Sequence, residues 1–270
     1  MSWRLAVRLA LALSAQAALA RAEDCGRSAR GFDAWLSAER DRAIAAGVPK
    51  RVAHAALDGL EYDAEVIRLD RSQRPFKLPF ERFLAKRVTR AKVALGRAML
   101  ARHETLLRDV YRAYGVHRAV LVAIWGLETD FGLHTGDRPV FRSLATLAYD
   151  CRRAERFRGE LSSALRVVAR GDMLPSDMRG AWAGELGQTQ FLPSSYEKYA
   201  VDFDEDGRRD LIGSTADVLA STAFYLFSNG WREGGGWQPG TANFEVLKSW
   251  NSSSHYQRTI AIFAERLAER

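Results

Sequence analysis

The chain has 270 residues, 47% of them hydrophobic and 27% charged, with a formal net charge of +7. These proportions belong to a folded soluble protein and exclude a disordered or low-complexity chain; the length suits one generous domain or two small ones. The basic excess is mild: it favours an acidic polymer at low salt without identifying one, and gives no case for nucleic acid.

The chain opens MSWRLAVRLALALSAQAALARAEDCG. Two arginines, an apolar run from Leu9 to Leu13 and small residues up to Ala22 form the pattern of a cleavable signal peptide over residues 1–22. The alternative, a short membrane anchor, meets a run that Ser14 and Gln16 break well short of the ~20 residues of a span. Cleavage after Ala22 removes three arginines and no acids, taking the charge from +7 to +4. Cys25 follows Glu23 and Asp24 instead of the small apolar residues of a lipid-attachment site. An even cysteine count in an exported chain favours a bridge between Cys25 and Cys151, with two buried free thiols as the alternative.

The rest reads as helices in one α-rich domain. Phe32, Trp35, Leu36, Ala43, Ile44 and Val48 follow helical spacing and stop before Pro49, and Val52 to Leu60 form a second short segment. Residues 71–83, with Pro75 and Pro79 among aromatics, read as an ordered surface connector. Leu106 to Tyr114 form a helix closed by Gly115, and Val120 to Leu127 an apolar one. Further helices follow over Leu161–Val168, Val218–Phe227 and Ile260–Leu267. No alternation of strand and helix marks a parallel sheet.

Three stretches carry chemistry. In AIWGLETDFG, Glu128 shares a helix face with Ile124 and Trp125. A carboxyl against an indole in a dry cleft favours its neutral form, which a general acid near neutral pH requires. Asp130, two residues on, points roughly to the opposite side, so the two do not form the facing pair of a hydrolytic glycosidase. The bland alternative is that Glu128 pairs with Arg152 or Arg153. In GAWAGELGQTQFLPSSYEKYA, Gly180, Gly184 and Gly187 allow close backbone approach. Gln188, Thr189 and Gln190 offer polar groups to a hydroxyl-rich ligand, and Ser194 with Glu197 has the spacing of a capping box; a solvated glycine turn is the alternative. Asp202, Asp204 and Asp206 followed by Gly207 match the start of a helix-flanked calcium loop, with the Arg208 carbonyl as a further ligand. Gly213 stands where such loops carry a closing Glu; Asp217 closes the site from the next helix, or forms a capping pair with Ser214. Asn251 and Tyr256 sit in a polar turn before the last helix.

Together AIWGLETDFG, SLATLAYDCRRAERF, WAGELGQTQFLPSSYEKYAVDFDEDG and NFEVLKSWNSSSHYQRTIAIFAERL resemble the lytic murein transglycosylases of the membrane-bound transglycosylase B type. FDAWL, RLDRSQ and GRAML fit upstream, so the resemblance covers Phe32 to Leu267. It implies a mainly α, lysozyme-like transglycosylase fold with an extra N-terminal helical part (residues 23–100), a catalytic core (residues 101–270) and a calcium-type loop. It implies a monomer acting in the periplasm on peptidoglycan glycan strands, free of the membrane once the signal is cut. Glu128 falls on the single acid/base, which protonates the bridging oxygen and then draws the proton from the muramyl C6 hydroxyl as a 1,6-anhydro ring closes. Gln190, Tyr225, Asn251 and Tyr256 fall on the sugar cleft. Asp202, Asp204, Asp206, Arg208 and Asp217 fall on a structural Ca2+ loop, with one extra residue before Asp217; catalysis needs no cofactor. Two departures stand out: Ala181 replaces a serine common in the family, and the segment between Gly230-Trp231 and Asn251 is cut to about twenty residues. They motivate one rival, a non-catalytic glycan-binding scaffold; the closest rival is a hydrolytic muramidase that uses water in place of the C6 hydroxyl.

Overall fold

The computed structural model describes residues 25–73 and 78–269; the expected signal peptide and Pro75 lie outside them. Helices α1 (Phe32–Ala45), α2 (Lys50–Leu57), α3 (Ala64–Ser72), α4 (Phe80–Arg87) and α5 (Arg90–Arg102) form the N-terminal part. Helices α6 (Glu104–Tyr114), α7 (Arg118–Thr129), α8 (Val140–Tyr149) and α9 (Ala154–Arg170) follow. The chain closes with α10 (Pro193–Tyr199), α11 (Thr215–Ser228), α12 (Ala242–Trp250) and α13 (Ser254–Ala268). Among the described residues the only sheet is a two-residue antiparallel pair, β1 (Arg138–Pro139) with β2 (Arg179–Gly180). None of the described helices is long and apolar enough to cross a membrane.

The centre is α7. Ala119 to Leu127 are all buried, so this helix is apolar all round, as a helix enclosed by others must be. His117 starts it by accepting the Ala119 N–H, and α13, α5 and α11 pack around it. The helix α8 was not legible from periodicity for the same reason: nine of its ten residues are buried, leaving no polar face to mark a period. Helices α1 and α2 pack on each other and on α8 and α9, and α4 and α5 on α13, so one apolar core runs from Phe32 to Leu267.

Two boundaries differ from expectation. The connector expected over residues 71–83 is narrower, because α3 runs to Ser72 and Pro79 already starts α4. Pro at a helix start costs no hydrogen bond, since its missing N–H would be unpaired there anyway. Helix α13 begins at Ser254, so Tyr256 is helical and not part of a turn. A disulfide joins Cys25 to Cys151, 126 residues apart, and the Gly26 N–H donates to the Tyr149 carbonyl beside it.

Candidate active site

Glu128 occupies the last turn of α7, where its side chain reaches the floor of a cavity of about 610 Å³. Beyond it the chain reverses sharply. Asp130 and Phe131 both have positive φ (53° and 63°), and Phe131 folds back edge-on against Trp125, centroids 5.6 Å apart. A Cβ at Gly126 would stand 2.6 Å from the Phe131 ring, so this reversal needs glycine there. Asp130 faces away, 2.5 Å from Lys92 Nζ. Arg152 and Arg153 both pair with the buried Asp70, which removes them as partners for Glu128.

The indole against Glu128 is not the expected one. Trp125 donates its Nε1–H to Gln188 Oε1 at 2.9 Å, inside the core. Trp250, at the end of α12, donates instead, Nε1 to Glu128 Oε1 at 3.0 Å. Burial pushes the Glu128 pKa up. Donation from Trp250, the nearby Tyr256 hydroxyl and the positive charge of Arg87 oppose that rise, while Glu185 adds to it. The proton is therefore retained above the usual carboxylate range, and the group remains open to the cavity to deliver it.

Three of the four expected sugar-cleft residues line this cavity. Gln190, in a left-handed conformation, donates its amide to the Thr135 and Gly187 carbonyls at 3.0 Å each. The Tyr225 hydroxyl donates to the Ser249 carbonyl, and its ring stands edge-on to Trp250 and Phe191. Asn251 ends α12, with Oδ1 accepting the Ser253 N–H. Tyr256 is different: it is buried behind the wall, its hydroxyl turned to Glu128 without completing an ordinary hydrogen bond. Burial, then the Glu128 charge, push its phenol pKa well above the ordinary value.

The glycine loop serves the wall more than the ligand. Gln188 and Thr189, expected to face a ligand, are buried: Gln188 also donates to the Ile212 carbonyl, and Thr189 meets the Thr222 hydroxyl. The expected capping box is absent. Ser194 Oγ and N both donate to Glu160 at 2.9 Å, and Glu197 binds Arg166. With Pro193 at the helix start, a buried carboxylate reaching across from α9 replaces the local cap.

Apart from Ala181, sequence reasoning missed the other side chains lining the cavity, above all Arg87, Trp182, Glu185 and Trp250. Glu185 was visible in the GELG stretch as a charge inside a glycine-rich apolar segment, the same anomaly that singled out Glu128.

At the acidic loop, Asp202, Asp204 and Asp217 each bring a carboxylate oxygen within 4.8 Å of the others. Gly207 has φ +92°, the sharp turn such a loop needs. Asp217 is fully buried, caps with Ser214 Oγ through its own N–H, and accepts the Phe203 and Asp210 N–H groups at 2.7 Å each. The capping pair with Ser214 is therefore present, and the same side chain joins the acidic trio. Asp206 stands outside this trio, with Oδ1 accepting the Arg208 N–H. Three converging carboxylates, one of them buried and raised in pKa by that burial, are a donor set suited to a hard cation.

The chain is similar to known proteins. Membrane-bound lytic murein transglycosylase B of Escherichia coli (strain K12) is 36% identical over 154 residues, 57% of this chain and 42% of that protein. The chain thus matches about two fifths of that relative's length. SltB3 of Pseudomonas aeruginosa, solved in complex with NAG-anhNAM-pentapeptide, is 33% identical with a TM-score of 0.84, over 90% of this chain and 80% of that one. The Escherichia coli lytic transglycosylase Slt35, solved in complex with calcium, is 25% identical with a TM-score of 0.77, over 86% of this chain and 92% of that one. The model of the transglycosylase SLT domain matches residues 31–241, from the start of α1 past the acidic loop, and the chain belongs to that family.

Proposed function

We propose that this protein is a peptidoglycan lytic transglycosylase with Glu128 as its single acid/base. The observation that carries this reading is the Glu128 carboxyl itself. It is held by Trp250 at the floor of an open cavity, in surroundings that keep its proton, and it lies within the matched family segment.

In the proposed reaction Glu128 protonates the oxygen joining N-acetylmuramic acid to N-acetylglucosamine, and the C1–O bond breaks. The resulting carboxylate takes the proton of the muramyl C6 hydroxyl, whose oxygen bonds to C1 and closes the 1,6-anhydro ring. Atoms balance without water, and Glu128 ends protonated again. The Trp250 N–H steadies the carboxylate between the two steps, a hydrogen bond that strengthens as charge develops. Gln190, Tyr225 and Asn251 bind the sugars, with Tyr225 and Trp250 presenting ring surface to them. The anhydro-sugar ligand of SltB3 supports ring closure over hydrolysis. Mass spectrometry of muropeptides released from purified wall tests it. The expected products end in 1,6-anhydromuramic acid; reducing ends alone would establish a muramidase.

In the same reading residues 23–100 supply the Arg87 side of the cleft and residues 101–270 the catalytic part. The enzyme works as a periplasmic monomer after loss of residues 1–22. Ca2+ is held by Asp202, Asp204 and Asp217, with Asp206 and the Arg208 carbonyl completing the loop ligands. Bound there, the ion ties the loop to α11 and neutralises converging carboxylates; it takes no part in the chemistry. The calcium complex of Slt35 supports this assignment. Excess chelator is expected to lower the melting temperature by about 5–10 °C, since ligand at a hundredfold its Kd adds ~2.7 kcal/mol to the folded state. Asp217→Asn should abolish that dependence. An unchanged melting curve, with no calcium found by elemental analysis, would remove the metal from the reading.

A further inference from the structure

The cavity holds a second carboxyl, Glu185. The backbone from Gly180 to Leu186 forms a closed turn: the Ala181 N–H donates to the Glu185 carbonyl at 2.7 Å, and Leu186 pairs with both Gly180 and Phe191. This sets Glu185 rigidly in the same cavity as Glu128, with its Oε2 buried and without a hydrogen-bond partner. A carboxylate oxygen left so is costly to bury.

We propose that Glu185 is a positioning residue for the proton transfer, acting through Glu128 as the second negative group that keeps the proton on the acid. The proposal rests on the reading of Glu128 given above. The groups facing Glu128 are the Trp250 indole from α12, the Tyr256 hydroxyl from α13, the Arg87 guanidinium from α4, and Glu185. From α5, Lys92 is engaged by Asp130 and the Gly126 carbonyl. From α11, Tyr225 is engaged by the Ser249 carbonyl. Glu185 thus stands against one N–H donor, a neighbouring hydroxyl and one cation, all of which favour loss of the Glu128 proton.

Charging both carboxyls in one partly dry cavity costs more than charging either alone, so the pair holds its last proton to higher pH than an isolated group. Burial pushes the Glu185 pKa up; the Glu185 and Ala183 backbone N–H groups and Arg156 favour its anion and oppose that rise, and Glu160 adds to it. In this proposal that last proton sits on Glu128 and the charge on Glu185.

The test is the pH profile of wall digestion. Glu185→Gln, nearly isosteric and uncharged, should keep its activity on the acid side. Its alkaline limb should move down by about half to one pH unit. At the pH where the wild type is half-active, it should run about two- to fivefold below it. Glu185→Ala should shift the limb the same way and serves if the glutamine variant does not fold, while Glu185→Asp should retain the wild-type limb. Carboxyl NMR on glutamate-labelled protein reads the same effect without any activity: the resonance lost in Glu128→Gln should titrate lower in Glu185→Gln. An unmoved limb and midpoint, or a uniform loss across pH, would overturn the proposal. Digestion that persists in Glu128→Gln would instead overturn the functional reading, with the NMR midpoint still deciding the role of Glu185.

Discussion

Replacing Glu128 by glutamine is expected to cut wall digestion about a thousandfold, with the fold intact. The amide still accepts the Trp250 N–H, so packing at the floor of the cavity is preserved. What disappears is the proton that, in the proposed reaction, Glu128 gives to the bridging oxygen. General acid–base groups contribute about 10²–10⁴ in rate, and a thousandfold corresponds to ~4 kcal/mol of barrier. The melting temperature should stay level or rise slightly, because a carboxyl whose pKa is raised by burial destabilises the folded state when ionised. Digestion equal to that of an active wild type would remove Glu128 from the acid role, and no digestion by either protein would favour the non-catalytic glycan-binding reading.

Gly180→Ala is expected to be the most damaging single methyl in the cleft wall. A Cβ there would stand 1.9 Å from the Glu185 carbonyl oxygen and 3.0 Å from the Leu186 Cα. Those are backbone atoms of the turn that carries Ala181, Trp182 and Glu185 into the cavity, so no side chain can yield to make room. The turn must open, breaking the Ala181–Glu185 hydrogen bond and disturbing the pairing of β1 with β2. The cost is about 2–4 kcal/mol, read as a melting temperature lower by about 5–10 °C. Digestion should fall at least about tenfold, as expected for a cleft wall displaced by an ångström or more. Gly159→Ala is the control: it lies in α9 with nothing within 4 Å of the added Cβ, and should be neutral or slightly stabilising. Equal melting temperatures for the two variants would show that the turn adapts.

Local patterns were good guides where a residue's surroundings are its own neighbours. Helical spacing located α1, α6, α7, α9 and α11, and Gly115, with φ +66°, closes α6 as its position announced. The glycines of the 180–187 segment were read as sites of close approach. Gly184 and Gly187 both have positive φ and would each place a Cβ within 2.5 Å of another residue. Patterns failed where burial was complete, as in α8, or where a partner came from afar. Ser194 and Glu197 have the spacing of a capping box, yet Ser194 is taken by Glu160, 34 residues away, and Glu197 by Arg166.

What the sequence by itself determined is the anomaly of a carboxyl in an apolar helix, the acidic loop, and the family whose motifs surround them. The amphipathic period and the spacing of chemical groups are properties of neighbouring residues, and they survive without a fold. Only the tertiary structure decided which groups meet Glu128. The indole is Trp250, 122 residues on, and not Trp125 three residues back. Arg87, Tyr256 and Glu185 reach it from three further segments. A helix fixes which way a side chain leaves the backbone, but the partner it finds depends on packing between distant elements, which no local period encodes.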